Sequence, residues 1–404
     1  NTQPGLPLPD TPSIVVLPFV NLSGDPTQEY FSDGVTEEIT ATLSRVAGLF
    51  VIARTSAFSY KGKAVKVQDI SREMGVRYVL EGSVQKADGQ VRIIAQLIDA
   101  TTGKHLWSER YDRPLQNIFA LQDEIRQQIT LALQVRLTPE EPGRVQSPSI
   151  TNLDAYDVYL RGREAFWRAL YKNDPMTPAR QLFEQAIALD PQYAEAYAYI
   201  GGTYLFDWFF DPGRNQGQSL KKAVAMGQRA ITLNETLPLP HAILATVYVW
   251  NKQHEQALVE ARRAVTLDPN FADGYFHLGT VLYFAGLADE SIEAHEQAIR
   301  LDPKHPDLYL LHLAVSYRIA GRYQEALAFG KQFAARHPDY LPGHVHLALC
   351  YGDLDQRKDA RAEGAEILRL NPAFNLTVFE RLWPMKDPAI MERSLAALRK
   401  AGLK

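Results

Sequence analysis

The sequence predicts an α/β domain, built on a mixed sheet, followed by an all-α solenoid of helical hairpins. Three observations carry this reading. Residues 13–137 alternate β-branched runs with amphipathic stretches. Beyond them, a Leu-Asp-Pro-like tripeptide closes successive segments at a near-constant interval. The 404 residues are 46% hydrophobic and 22% charged, a balance typical of folded chains of two or three domains. Lys and Arg (43) nearly balance Asp and Glu (47), leaving a net charge of -4 and no electrostatic case for nucleic acid. The single cysteine, Cys350, excludes an intrachain disulfide framework. Apolar runs such as Ser13–Val20 are too short to span a bilayer as a helix. The proline-rich start, residues 1–12, reads as a linker cut from a longer protein.

The elements of the first domain follow in order. Ser13–Val20 is a β-branched strand ending in a turn, Asn21–Asp25. An amphipathic helix from about Asp33 places Val35, Ile39, Leu43 and Val46 on one face. Leu49–Ala53 reads as a short buried strand, and Val67–Met74 as a second helix closed by Gly75. Strands Arg77–Lys86, Gln90–Asp99 and Lys104–Tyr111 are joined by Ala87-Asp88-Gly89 and Ala100-Thr101-Thr102-Gly103, both hairpin chemistry. A third helix, Ile118–Leu137, carries Ile118, Leu121, Ile125, Ile129 and Leu133 toward the sheet. The total is about five strands and three helices, and residues 138–153 form a linker.

The repeat begins at Asp154. Its closing tripeptides are centred on Asp190, Asp268, Asp302, His337 and Asn371, and the last four are 34, 35 and 34 residues apart. The gap of 78 before Asp268 holds one 34-residue unit and one lengthened to 44 by an insertion near 206–218. Small residues recur where paired helices must approach: Gly201, Ala245, Gly279, Ala314 and Ala348, then Ala257, Ala326 and Ala360. Gly286 and Gly321 stand at the turn between paired helices, and each closing proline ends the second helix. This 34-residue helix–turn–helix pattern resembles the tetratricopeptide repeat, or TPR. The array covers residues 154–373 in about six units, the first divergent; residues 374–404 supply a capping helix, Asp387–Ala401.

A TPR solenoid offers a groove lined by its first helices. Alignment on Leu278, Leu313 and Leu347 puts His277, His312 and His346 at one equivalent position, with Tyr199, Phe206, Trp250, Phe276, Tyr283, Phe284 and Arg318 nearby. The functional reading is an aromatic groove for a protein or peptide, weakly basic when the histidines protonate. The opposing reading is that these rings fill contacts between helices. The histidine column is no metal site, because equivalent residues lie about 10 Å apart while zinc ligands converge within about 2 Å of the ion.

In the first domain, Ser13-Ile-Val-Val-Leu-Pro-Phe19, Gly24-Asp-Pro26, Tyr30-Phe-Ser-Asp-Gly34, Val51-Ile-Ala-Arg54, Gly75-Val-Arg-Tyr-Val-Leu-Glu-Gly82 and Gly103-Lys-His-Leu-Trp107 are similar to the TolB-N/FlgO-like domain. With Glu380-Arg-Leu-Trp-Pro-Met-Lys-Asp-Pro388, the whole resembles the C-terminal regulatory region of bacterial class III adenylate/guanylate cyclases. The resemblance implies a cytoplasmic, non-catalytic region acting through partner binding and dimerisation. Alternatives are the sensor of a CadC-like winged-helix regulator, or a periplasmic, envelope-associated TolB/FlgO-like assembly protein. Motif positions Asp33, Arg54, Glu81, Arg92, Asp99, Trp107 and Arg110 could form a polar partner site; equally, they could brace the sheet, with Asp33 as an N-cap. No P-loop or His-Glu-x-x-His pattern occurs, Cys350 sits in an apolar register, and no cofactor or catalytic residue is expected.

Overall fold

The computed structural model describes residues 5–133, 152–172, 174–210 and 216–404. Most of the expected linker, the end of the third expected helix (134–137) and the centre of the insertion (211–215) lie outside the described residues. The chain divides into two compact units: residues 1–243 with 264–271 and 301–304, and residues 244–263, 272–300 and 305–404.

In the first unit, strands β1 (Ser13–Val16), β2 (Val20–Asn21), β3 (Phe50–Val51), β4 (Tyr78–Ala87), β5 (Gln90–Asp99) and β6 (Lys104–Pro114) make one sheet. Its order is β3-β1-β4-β5-β6, with β2 also on β4. β1 runs parallel to β3 and β4, while β4, β5 and β6 are antiparallel. The one strand expected over Ser13–Val20 is broken because Pro18 lacks an N–H and the Phe19 N–H donates to Thr36 Oγ1 (2.9 Å). Helix α1 (Glu29–Ser44) starts earlier than expected, after a 3₁₀ turn at Pro26–Gln28 capped by Asp25. Asp33 is therefore inside the helix and is not its N-cap. α2 (Arg54–Phe58) was not expected, since five residues cannot display a helical period. α3 (Val67–Met74) ends as expected at Gly75 (φ 62°), and α4 spans Ile118–Ala132.

One core joins this sheet to the first hairpins. α1 and α4 cover one sheet face with Val35, Ile39, Leu43, Leu121 and Ile125, and α2 and α3 pack on the β1–β4 part of the other. The first core continues into α5 (Leu153–Lys172), α6 (Thr177–Leu189) and α7 (Ala194–Phe210) through Tyr156, Tyr159, Leu160, Phe183 and Tyr193. Phe119 of α4 meets Tyr156 edge-on at 4.9 Å. Gly34 permits the α1–α5 approach, for a Cβ there would lie 2.6 Å from Leu160 Cδ2. α7 and α8 (Gln216–Leu233) run 17 and 18 residues, so part of the insertion is spent on longer helices.

Two closing turns of the repeat belong to this unit. Helices α9 (Pro238–Trp250), α10 (His254–Leu267), α11 (Ala272–Phe284), α12 (Ala288–Leu301) and α13 (Leu308–Ile319) flank them. Asn270 Nδ2 donates to the carbonyls of Ser44 (2.7 Å) and Leu49 (2.8 Å), while its Oδ1 accepts from the Val51 N–H (3.0 Å). Ser44 Oγ donates to Asp268 (2.7 Å). One repeat on, Ser56 donates to Asp302 and accepts from the Lys304 N–H (2.7 Å), while Ala53 N–H donates to the Leu301 carbonyl (2.9 Å). The Asp-Pro turns read from the sequence as helix terminators thus also satisfy the backbone around β3.

In the second unit, hairpins continue through α14 (Tyr323–Arg336), α15 (Leu341–Asp353) and α16 (Arg357–Leu370). The hairpin turns take left-handed backbone at Gly286 and Gly321 as expected, and also at Lys252 (φ 61°) and Asp355 (φ 55°). Two helices follow instead of one: α17 (Leu376–Leu382), capped by Asn375, and α18 (Pro388–Lys400), capped by Asp387.

Replacing Asn270 by Ala removes three buried hydrogen bonds and leaves backbone groups without partners, which costs about 2–4 kcal/mol. Urea unfolding should show this as a lowered midpoint; an unchanged midpoint would refute the turn's bracing role.

Candidate functional site

The polar candidates of the first domain do not converge. Asp33 is gripped by Lys61 Nζ, 2.6 Å from both carboxylate oxygens. Burial outweighs that cation and pushes its carboxyl up to about 6. Arg54 lies against Glu37 (2.6 Å), its guanidinium over Phe58 (3.9 Å) and Trp167 (4.5 Å). Arg163 of α5 closes on the same carboxylate and also reaches Glu38. Burial pushes the Glu37 carboxyl up, but Arg163 and Arg54 together hold it below its ordinary value.

Glu81, Arg92 and Arg110 do share a surface. The β4–β5–β6 register sets Glu81 beside Gln96 and Ser108, Ser83 beside Ile94 and Arg110, and Gln85 beside Arg92 and Asp112. Asp112 accepts from Arg92 (2.5 Å) and Arg110 (2.7 Å), and both arginines are exposed. The result is a solvated polar sheet face. Asp99 braces the β4 start through Arg77 (2.9 Å), and Trp107 faces the core beside Tyr111.

A cleft of about 600 Å³ in the first unit had no signature in the sequence. Asp25, Tyr30, Lys86, Asp157, Arg161 and Arg168 line it. Asp157 accepts from Tyr30 Oη (2.5 Å), Lys86 Nζ (2.9 Å) and Arg161 Nη2 (2.8 Å). These residues come from α1, β4 and α5, more than fifty positions apart in places, so no local motif could announce them.

The groove candidates fare unevenly. Tyr199, half-buried in the first unit, stacks on Phe183 (5.1 Å) within the core; Phe206 is half-buried. In the second unit, Tyr283 (3% exposed), Phe284 (0%), Arg318 (4%) and His346 (2%) are core residues, which corrects their assignment to an open groove. Arg318 is fixed by Asp353 (2.7 Å). Phe276 stacks on Tyr309 (4.7 Å, 9°), and Trp250 remains half-buried.

The histidine column is a ladder of hydrogen bonds between repeats. Thr246 Oγ1 lies 2.8 Å from His277 Nδ1, and Thr280 Oγ1 lies 2.9 Å from His312 Nδ1. At the third position the pattern changes: His346 Nε2 lies 3.1 Å from the Ala326 carbonyl and 3.4 Å from Cys350 Sγ. Burial depresses His277, His312 and, beside them, His295 (to about 3) and His346 (to about 4). Burial thus favours the neutral form of these imidazoles, which runs against the expectation of a weakly basic groove. Burial also pushes the Cys350 thiol up to about 12, as an inert cysteine requires. Among the described residues, no three metal-ligating side chains gather, and no helix is long and apolar enough to cross a membrane.

The tail of the second unit returns along the first helices. Trp383 packs edge-on against Trp250 (6.0 Å) and Phe284 (5.7 Å), and stacks on Phe379 (5.3 Å). Lys386 donates its N–H to the Phe284 carbonyl (2.9 Å) and pairs its ammonium with Glu255 (2.6 Å). Arg393 reaches the Ile319 carbonyl (3.4 Å), and Lys400 the Gly352 carbonyl (2.8 Å).

Comparison with known proteins agrees with the repeat reading. The tetratricopeptide repeat family model matches residues 272–305. The chain is 44% identical over 257 residues to "Putative adenylate cyclase 3" of Rhizobium meliloti (strain 1021), covering 63% of this chain and 43% of that protein. The chain thus spans less than half the length of this relative. Among solved structures, it is similar to the APC/C hetero-tetramer Cut9-Hcn1 (16% identity, TM-score 0.46, covering 60% of this chain and 43% of that one). It is also similar to Pseudomonas aeruginosa pilF (16%, TM-score 0.41, 55% and 95%) and to YrrB, a TPR protein with an unusual peptide-binding site (17%, TM-score 0.35, 47% and 93%).

Two outcomes follow from this geometry. Glu37→Gln leaves Arg163 and Arg54 short of a buried counter-charge and should destabilise the fold by about 3 kcal/mol, read by chemical denaturation; a change below about 1 kcal/mol would place the pair at a solvated site. Imidazoles depressed in the folded state contribute stability that is complete above the unfolded value near 6.5 and is lost as pH falls. Between pH 6.5 and 5, above most of the carboxylate range, His295 and His346 should each cost roughly 1–2 kcal/mol. The Asp33 carboxyl has the opposite sign there, so the check is the difference between wild type and His295→Gln: the variant's stability should fall less steeply with acid.

Proposed function

We propose that this chain is a non-catalytic regulatory region of a class III adenylate/guanylate cyclase, an α/β layer of the TolB-N/FlgO type fused to a TPR array that binds protein partners. The observation that carries the reading is 44% identity to "Putative adenylate cyclase 3" across 63% of the chain. TPR hairpins support a role in protein capture, because stacked two-helix units present extended surfaces. The half-buried Phe206, Trp250 and Phe276, and the exposed Glu81–Arg110 sheet face, are our candidates for partner contact. We place the region in the cytoplasm and assign it a dimeric state, which would act by shifting a catalytic pair between productive and unproductive arrangements.

The test is a chimaera in which this chain replaces its matching region in the Rhizobium meliloti relative. Cyclic nucleotide formation should persist in the chimaera and change at least severalfold when the region is deleted, while the isolated chain turns over no ATP or GTP. Turnover by the isolated chain, or indifference of the chimaera to the deletion, would sink the proposal. Sedimentation equilibrium should show self-association of the isolated chain; a monomer at every concentration would remove dimerisation from the mechanism.

A further inference from the structure

The sheet of the first unit ends on an unpaired strand edge. In the order β3-β1-β4-β5-β6, the 11-residue β6 has β5 on one side and no strand on the other. Its register says which backbone groups are left over. The Leu115 N–H donates to the Gly89 carbonyl (2.8 Å), which marks a hydrogen-bonded pair of the antiparallel ladder. Such pairs recur at every second residue, so Arg113, Tyr111 and Glu109 turn their backbone groups to Val91, Ile93 and Ala95. Ser108, Arg110 and Asp112 therefore turn theirs to the open edge, where their N–H groups meet no acceptor among the described residues. The Asp112 carbonyl meets the Arg113 guanidinium of its own strand (3.2 Å), a contact a paired strand can replace. Pro114, which has no N–H to donate, falls at the next outward position, as an edge strand allows.

We propose that this edge pairs with the same edge of a second copy, antiparallel about a twofold axis at Tyr111, so that two sheets join into one. Charge decides the occupant and the register. With the axis at Tyr111, Arg110 stands opposite Asp112 of the copy on the solvated face, and Glu109 stands opposite Arg113 on the other face. Symmetry repeats both pairs. The same register brings the outward N–H of Arg110 to the Asp112 carbonyl of the copy, and the reverse. Moving the axis to Glu109, Arg110 or Asp112 sets that residue against its own like charge. Charges on an edge strand ordinarily deter pairing; here they deter the neighbouring registers and favour this one. The side chains are within reach of solvent: Arg110 is 56% exposed, Asp112 50%, and Glu109 is exposed. Arg110 gives only its Nε–H to its own Asp112 (2.7 Å), which leaves guanidinium donors for the copy. One short strand makes a small contact, so the pairing is reversible, as a shift between two arrangements of a catalytic pair requires. The inference rests on the dimeric state proposed above and supplies its surface; it does not depend on the cyclase assignment.

The test is sedimentation equilibrium of the full chain as wild type, as Arg110→Asp, as Asp112→Arg, and as an equimolar mixture of the two variants. Either reversal sets like charges opposite each other on both sides of the axis and should weaken self-association about tenfold or more. In the mixture the aspartates of one variant face the arginines of the other, so association should return to within about threefold of wild type. Circular dichroism and the melting midpoint establish that each variant is folded. Should a variant unfold, hydrogen exchange of the wild type decides. The Arg110 and Asp112 amides should gain protection as concentration rises, whereas the Tyr111 amide, bonded to β5, should be protected at every concentration. A wild type that stays monomeric throughout would overturn the dimeric state, and this surface with it. Association that neither reversal weakens, a mixture that stays apart, or Arg110 and Asp112 amides indifferent to concentration would overturn this surface and leave the dimer standing.

Discussion

Glu37 is the constraint around which the first unit is arranged. Its carboxylate is out of water, a position tolerable only when opposite charges surround it. Arg54 arrives from the helix after β3, and Arg163 from the first repeat helix, so one anion commits three segments to a single geometry. Gly34, one turn earlier on α1, removes the bulk that would hold α5 away. The apolar core then runs without interruption from the sheet through α1 and α4 into α5, α6 and α7. The α/β layer and the first hairpins are therefore one physical body, although their sequence signals differ.

That difference decides what could be read in advance. Periodicity exposed the hairpins, the three antiparallel strands and the Gly75 stop, because each is encoded within a few adjacent residues. Pro18 and the competing Thr36 hydroxyl were visible as letters, but their effect on β1 appears only when α1 is in place. α2 and α17, at five and seven residues, are too short to show a period. The candidate sites were less legible still. Asp157, which organises the polar cleft, gathers partners 127 and 71 positions away. His277, His312 and His346 align at one repeat position in the sequence, yet alignment does not say which way a ring faces. Inter-repeat hydroxyls at Thr246 and Thr280 turn the first two inward. A threonine recurring 34 residues on, each about 31 residues before a histidine, is the signal that could have been used.

The closing turns show how a repeat can acquire a second task without losing its first. Asp268 and Asp302 occupy equivalent positions, and each accepts from a serine hydroxyl of the α/β layer, Ser44 and Ser56 respectively. The 34-residue period thus meets two anchor points on a non-repeating surface. Asn270 extends the arrangement by meeting both carbonyls and an N–H around β3, so a strand of only two residues is held at its ends.

The unbroken core of the first unit also bears on how such proteins diversify. Shuffling of modules between genes succeeds where the cut crosses few contacts, and a crossover between α4 and α5 would strip Tyr156 from Phe119, Leu160 from Gly34 and Arg163 from Glu37 at one stroke. Severing the sheet from the leading hairpins would thus open the shared core on both sides of the cut, whereas the later hairpins carry no part of it.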